Sequence, residues 1–317
     1  MPPGSAARPQ NASTGSAQHL FVENVNSITE FDSNGNLVRT ITDGIPYEGF
    51  NTGAIAFDSR GTMYVITGSF NISIYAPHSR KFLGTITTGL QTPLALAVDR
   101  SDNLYVANEI GENVSVYPRG HKKPTLVITA GINDPDALAF DSQENLYVAN
   151  WFGNTITVYS PDGNPIRTIQ DAVLGPESLA FDTKGRLYAA DGAGGYGSWV
   201  TIYSPQSDKL LATIFSGRGP TGVALNSSGQ LFVTNADSNT LTAYERENSH
   251  EWPLLFKIRK VYDPRTVLVD ASNNLYLICC KGPTGEEIVV YPPGGKKPLR
   301  TMTDGVYGPH AIAFGPP

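Results

Sequence analysis

Residues 135–169 read PDALAFDSQENLYVANWFGNTITVYSPDGNPIRTI, four short apolar, β-branched and aromatic runs separated by turn-forming residues. The runs are ALAF, LYV, TITVY and RTI, and DSQEN and SPDGN stand between them as turns. Runs of this length joined by tight turns predict an antiparallel meander of four strands, a to d. The unit recurs along the chain. Strand b returns as LFV at Leu20, MYV at Met63, LYV at Leu104 and Leu146, LYA at Leu187, LFV at Leu231 and LYL at Leu275, in steps of 41 to 44 residues.

Strand a recurs at Ala54, Ala95, Ala137, Ser178, Gly222, Thr266 and Ala311. Strand c ends on an aromatic at Phe31, Tyr75, Tyr117, Tyr159, Tyr203, Tyr244 and Tyr291. A four-stranded unit cannot cover both of its faces alone, so the units must stack. Radial stacking predicts an all-β, seven-bladed β-propeller of four-stranded antiparallel blades. The chain enters at strand b and leaves after strand a, which predicts one blade split between its ends. Pairing the C-terminal strand with the N-terminal blade removes two open sheet edges. Residues 19–317 are read as the propeller and residues 1–18, rich in Pro, Ser, Gly and Ala, as a disordered leader.

The repeat P-x-A-L-A-F-D-S-x-G-N-L-Y-V-A-N followed by N-T-I-T-V-Y-S-P-x-G resembles NHL-type repeats over residues 19–317. Seven blades are similar to the virginiamycin B lyase-like relatives, and Pro309-His310-Ala311-Ile312 resembles a P-H-G-I pattern there. The resemblance implies the fold and a wide choice of roles, from scaffolds and protein or RNA binders to a few enzymes.

Composition narrows the partners. A net charge of -6 with no run of Lys or Arg predicts no nucleic-acid partner, and no apolar stretch is long enough to predict membrane insertion. A monomer is expected. Little Lys with much Asn, Ser, Thr and Tyr leans toward a secreted, periplasmic or cell-surface protein. The adjacent Cys279 and Cys280 give no disulfide framework. Several formal motifs lack their context. Gly192 to Gly197 reads GAGGYG but is followed by a strand, and His250-Glu251 is followed by Trp252 and Pro253 without a second His. The Asp residues that open the a-to-b turns, such as Asp58, Asp99, Asp141, Asp182 and Asp270, are too regular to be catalytic and are read as structural.

Structural positions repeat, so a position whose charge varies marks function. The residue after the Pro between blades is Leu94, Asp136, Glu177, Thr221, Arg265 and His310, with Gly53 in the blade that lacks the Pro. These residues should ring one mouth of the central channel. The ends of strand b, among them Asn108, Asn150, Asp191 and Asn235, are expected to add a polar ring on the same face, with Trp151, Phe152, Tyr196 and Trp199 from the b-to-c loops and Tyr47, Phe50 and Tyr307 from the blade connections.

Two roles follow. The face binds a small molecule, glycan, peptide or protein through Asn108, Asn150, Asp191, Asn235, Trp151, Phe152 and Tyr196. Alternatively Asp136, Glu177 and His310 hold a divalent cation, Ca or Mg, for a lyase or hydrolase in which His310 or Glu177 is the general base and Arg265 stabilises charge.

Overall fold

The computed structural model describes residues 18–46, 53–192, 199–248, 251–282 and 285–317, the backbone alone at 280–282 and 285. Seven four-stranded antiparallel sheets account for all its strands. Blade 1 is the split one: Ala311–Gly315 is its strand a, followed by His19–Asn24, Ser27–Phe31 and Leu37–Ile41. Blades 2 to 7 follow in sequence, with strands a at Ile55–Phe57, Pro93–Val98, Pro135–Phe140, Pro176–Phe181, Pro220–Leu225 and Pro264–Val269. These first strands touch one another from blade to blade and close a ring around the axis.

The core consists of seven clusters, and each spans two neighbouring blades. This explains a departure from simple alternation. Strand b of blade 4, Leu146–Asn150, is buried at every residue, because each blade is covered on both faces by its neighbours. The aromatic rings of the repeat join adjacent blades. Tyr105 meets Phe140 and Tyr147 meets Phe181 edge-on, with centroids 5.0 and 4.9 Å apart. The strand-c tyrosines add polar stitches. Tyr75, Tyr117 and Tyr203 donate hydroxyl hydrogen bonds to the carbonyls of Asp43, Thr88 and Asp171 at the end of the preceding blade, at 2.9, 2.8 and 2.6 Å.

The Asp residues of the a-to-b turns are structural, as their regularity predicted. Each carboxylate accepts two backbone N–H groups across its own turn: those of Arg60 and Thr62 at Asp58, Ser101 and Asn103 at Asp99, Gln143 and Asn145 at Asp141.

The residue before each inter-blade Pro takes a left-handed backbone. It is Gly175, Gly219 and Gly308 in three connections, but Thr92, Asp134 and Asp263 in the others, with φ of 53°, 56° and 43°. A β-branched residue there is strained by its Cβ. The backbone of Thr92 makes two hydrogen bonds that glycine would keep, so Thr92→Gly is expected to raise stability by about 0.5 to 1 kcal/mol, read from the urea midpoint.

Candidate functional site

The channel mouth is built by a backbone irregularity. In blades 3 to 7 the pairing of strand a with strand b slips just after the inter-blade Pro, between Pro93 and Ala95, Pro135 and Ala137, Pro176 and Ser178, Pro220 and Gly222, and Pro264 and Val267. The residue left out of the ladder is Leu94, Asp136, Glu177 or Thr221, and in blade 7 Arg265 falls in the slip. In these five blades the varying position is therefore a β-bulge, a device that re-aims a side chain at the cost of a local break in the ladder.

Asp136 and Glu177 occupy adjacent blades, and Asp136 feels the charge of Glu177. Asp136 is 1 % exposed, and neither of its carboxylate oxygens has a hydrogen-bond partner. Burial, then the neighbouring charges of Glu177, Asp134 and Glu109, hold its pKa well above the ordinary carboxylate value. Glu177 is buried against Gly192 of its own blade and the Pro220 carbonyl of the next; a Cβ on Gly192 would overlap its carboxylate. The first glycine of the GAGGYG stretch is thus a seat for Glu177. Burial raises the Glu177 pKa to about 7, opposed by the nearby Trp151 indole N–H and, less strongly, by Arg265, while Asp237 adds to the rise. The Trp151 Nε1 atom has no partner in ordinary hydrogen-bond geometry, so this donor is available. Arg265 donates to Asp263 at 3.2 Å, leaving its buried Nε unpaired.

His310 lies elsewhere on the ring. It precedes strand a of blade 1, three blades from Asp136 in one direction and three from Glu177 in the other. Its Nδ1 stands 3.6 Å from Glu23 Oε2, and its backbone N–H donates to the Glu23 carbonyl. Among the described residues no three His, Cys, Asp or Glu side chains are grouped as a metal site requires. Asp136, Glu177 and His310 are accordingly not gathered into the Ca or Mg site that the sequence suggested, because ring geometry holds His310 on the far side.

Glu23 is the residue that the sequence reading missed. It replaces the Ile66, Ala107, Ala149, Ala190, Thr234 or Ile278 of the other b strands and is the one charged residue at that position. The comparison that exposed the variable ring would have found it. Its carboxylate is buried beside Gly53, where a side chain would overlap it, and burial raises its pKa to about 7 against the pull of His310.

The b-end ring is turned inward. Asn108, Asn150, Asp191 and Asn235 are all fully buried, and they brace the fold. The Asn108 carbonyl oxygen accepts the Gln91 N–H at 2.9 Å and that of Asn150 accepts the Asn133 N–H at 3.1 Å. Their amides donate to side chains of strand c, Asn113 at 2.9 Å and Thr157 at 3.1 Å. Asp191 copies this bracket with a carboxylate, accepting the Leu174 N–H and the Thr201 hydroxyl. In blade 6 the corresponding Arg218 N–H turns to Ser238 instead, and Asn235 Oδ1 has no partner. A strand-end Asn looks the same in sequence whether it turns inward or outward, so its burial shows only in the structure. Of the aromatics, Phe152 is 70 % exposed, Tyr307 is equally exposed, and Trp151 is half-buried, its ring 5.7 Å from that of Phe152. Tyr47, Phe50 and Tyr196 lie outside the described residues. Cys279 belongs to the core between blades 6 and 7.

The comparisons agree on architecture. Residues 166–195 match the family described as "Strictosidine synthase-like, N-terminal", a stretch that carries Glu177, Asp191 and Gly192. No curated protein matches the chain. Solved structures do. A protein from Lactobacillus plantarum aligns with a TM-score of 0.76 at 16% identity, over 95% of this chain and 99% of that one. A candidate 6-phosphogluconolactonase from Bacteroides fragilis NCTC 9343 aligns at 0.71 and 14%, over 96% and 99%. Hydrazine synthase from Kuenenia stuttgartiensis aligns at 0.65 and 16%, over 75% of each chain. What they share with this chain is the propeller fold.

Proposed function

We propose that this propeller is a ligand-binding module whose channel mouth takes a cationic, donor-rich group at Asp136 and Glu177. The observation that carries the reading is Asp136: a buried carboxylate with two unpartnered oxygens, beside a second buried acid. Uncompensated buried carboxylates are costly, and a ligand that brings N–H donors and positive charge relieves that cost directly.

Calorimetric titration with butylamine and phenethylamine, against butyrate as control, tests this. Binding of the amines alone is expected, weakened about tenfold or more in Asp136→Asn and in Glu177→Gln. Only the ionised carboxylate pairs with an ammonium group, and the Glu177 pKa is about 7. Affinity should therefore fall as pH drops below about 7, and any further gain above it follows ionisation of Asp136, whose pKa is also raised by burial. Equal binding of butyrate, or amine affinity that is flat from pH 5 to 8, would refute the proposal.

A second reading has one observation in its favour. A carboxyl group with a pKa of about 7 is suited to general acid–base catalysis, with Glu177 moving the proton and Arg265 steadying developing negative charge. A hydrolase acting on lactones is the form to try first, given the neighbour of that description. Its signature is a rate that rises with pH through about 7 and is abolished in Glu177→Gln.

A further inference from the structure

The b-to-c loops of blades 2, 3 and 4 each present one large apolar side chain to solvent on the channel-mouth face. These are Phe70, Ile110 and Phe152, exposed by 58, 73 and 70 %. The loops that carry them are held by the backbone. Thr92 donates to the Ser69 carbonyl at 2.9 Å, Glu109 to the Thr92 carbonyl at 3.0 Å, and Trp151 to the Asp134 carbonyl at 2.9 Å. Three consecutive blades thus hold apolar knobs on a braced rim, in place of the polar tips that loops usually show.

The charge between the knobs has one sign. Residues 68–70, 87–92, 109–112, 129–134, 151–154 and 170–175 form this side of the face, and they contain Glu109, Glu112, Asp134 and Asp171 without a Lys or Arg. The acids act on one another: Glu109 feels the charge of Asp134, and Asp134 that of Glu112. Asp136, buried and unpartnered, lies just inside them and feels Asp134 and Glu109. A small free amine could meet Asp136 but would leave the knobs bare. An anionic membrane surface would be repelled by the acids.

We infer that the rim of blades 2 to 4 docks an extended peptide segment of a partner protein, with a Lys or Arg between apolar residues. The cation faces Glu109, Asp134 and Asp136, and the flanking apolar side chains cover Phe70, Ile110 and Phe152. The inference rests on the cation-binding reading of the mouth and adds the class of molecule that supplies the cation.

An array of fluorescent nonapeptides tests it, with Lys, Arg, norleucine or Glu at the centre and Leu, Phe or Ser two and four positions away. Peptides with a basic centre and apolar flanks should bind at least tenfold tighter than those with Ser flanks or a neutral centre. Phe70→Ser and Ile110→Ser, at exposed loop tips, should keep the melting temperature and butylamine binding but lose fivefold or more in peptide affinity. Asp136→Asn should lose both ligands. The inference is overturned if no peptide binds, if the flanks make no difference, if the Ser variants bind as tightly as the parent, or if zwitterionic vesicles are bound in preference. Flank-dependent peptide binding without butylamine binding would sink the free-amine reading and leave the rim assignment standing. Butylamine binding without peptide binding would do the reverse.

Discussion

A chain lacking residues 311–317 is expected to lose most of its cooperative melting, or to melt at least about 10 °C lower than the full chain. Strand Ala311–Gly315 is the innermost strand of blade 1 and serves two interfaces. Ala311 and Ala313 belong to the cluster shared with blade 2, while Ile312 and Phe314 pack toward blade 7, where the Phe314 ring lies edge-on to Tyr276 at 5.0 Å. Burial of Ile312 and Phe314 contributes roughly 1.5 to 3 kcal/mol each, and removal also uncovers Leu20, Phe21 and Val22. A buried guanidinium adds to the loss. Arg80 lies over the Phe21 ring and donates to the carbonyls of Gly61 and Pro316, and it would be left short of an acceptor. Calorimetry on the two chains decides the matter. Superimposable melts would mean that the seam contributes nothing to the ring.

Asp191→Asn should act strongly in the other direction. Asp191 sits where blades 1, 3, 4 and 6 have Asn24, Asn108, Asn150 and Asn235, and burial raises its pKa from 3.8 to about 8. An amide can keep both bonds, accepting from Leu174 N–H and donating to the Thr201 hydroxyl as Asn150 donates to Thr157. The sign follows from proton counts. Between pH 4 and 8 the folded protein holds a proton on Asp191 that the unfolded chain has released, so the parent loses stability as pH rises through this window. The variant lacks that loss. It should match the parent near pH 4 and exceed it at pH 8 and above by several kcal/mol, the full shift corresponding to on the order of 5 kcal/mol. Urea midpoints across this range are the measurement. A difference that did not grow with pH would show that Asp191 stays near its ordinary pKa.

The propeller was legible because its evidence is repeated. Seven copies of each strand, with the chain entering at b and leaving at a, leave little choice of architecture, and the split blade follows from the phase of the ends alone. The mouth was half legible. Variation in charge after each Pro pointed to Asp136, Glu177 and Arg265, but pairing register is invisible in a sequence and so was the bulge that turns these side chains out of the ladder. The burial of Asn108 and Asn150 was not legible, because it depends on which way a strand end turns. His310 was placed in the right ring, while its partner Glu23 escaped notice because only the residue after each Pro and the end of strand b were compared between blades.

The bulges have an evolutionary consequence. A residue excluded from the ladder is not asked to pair or to keep a register. Leu, Asp, Glu and Thr already occupy the same slot in successive blades of one chain without altering the sheets around them. The mouth therefore behaves as a set of exchangeable sockets on an unchanging frame. Gene variation can swap one socket at a time while the architecture stays where it is.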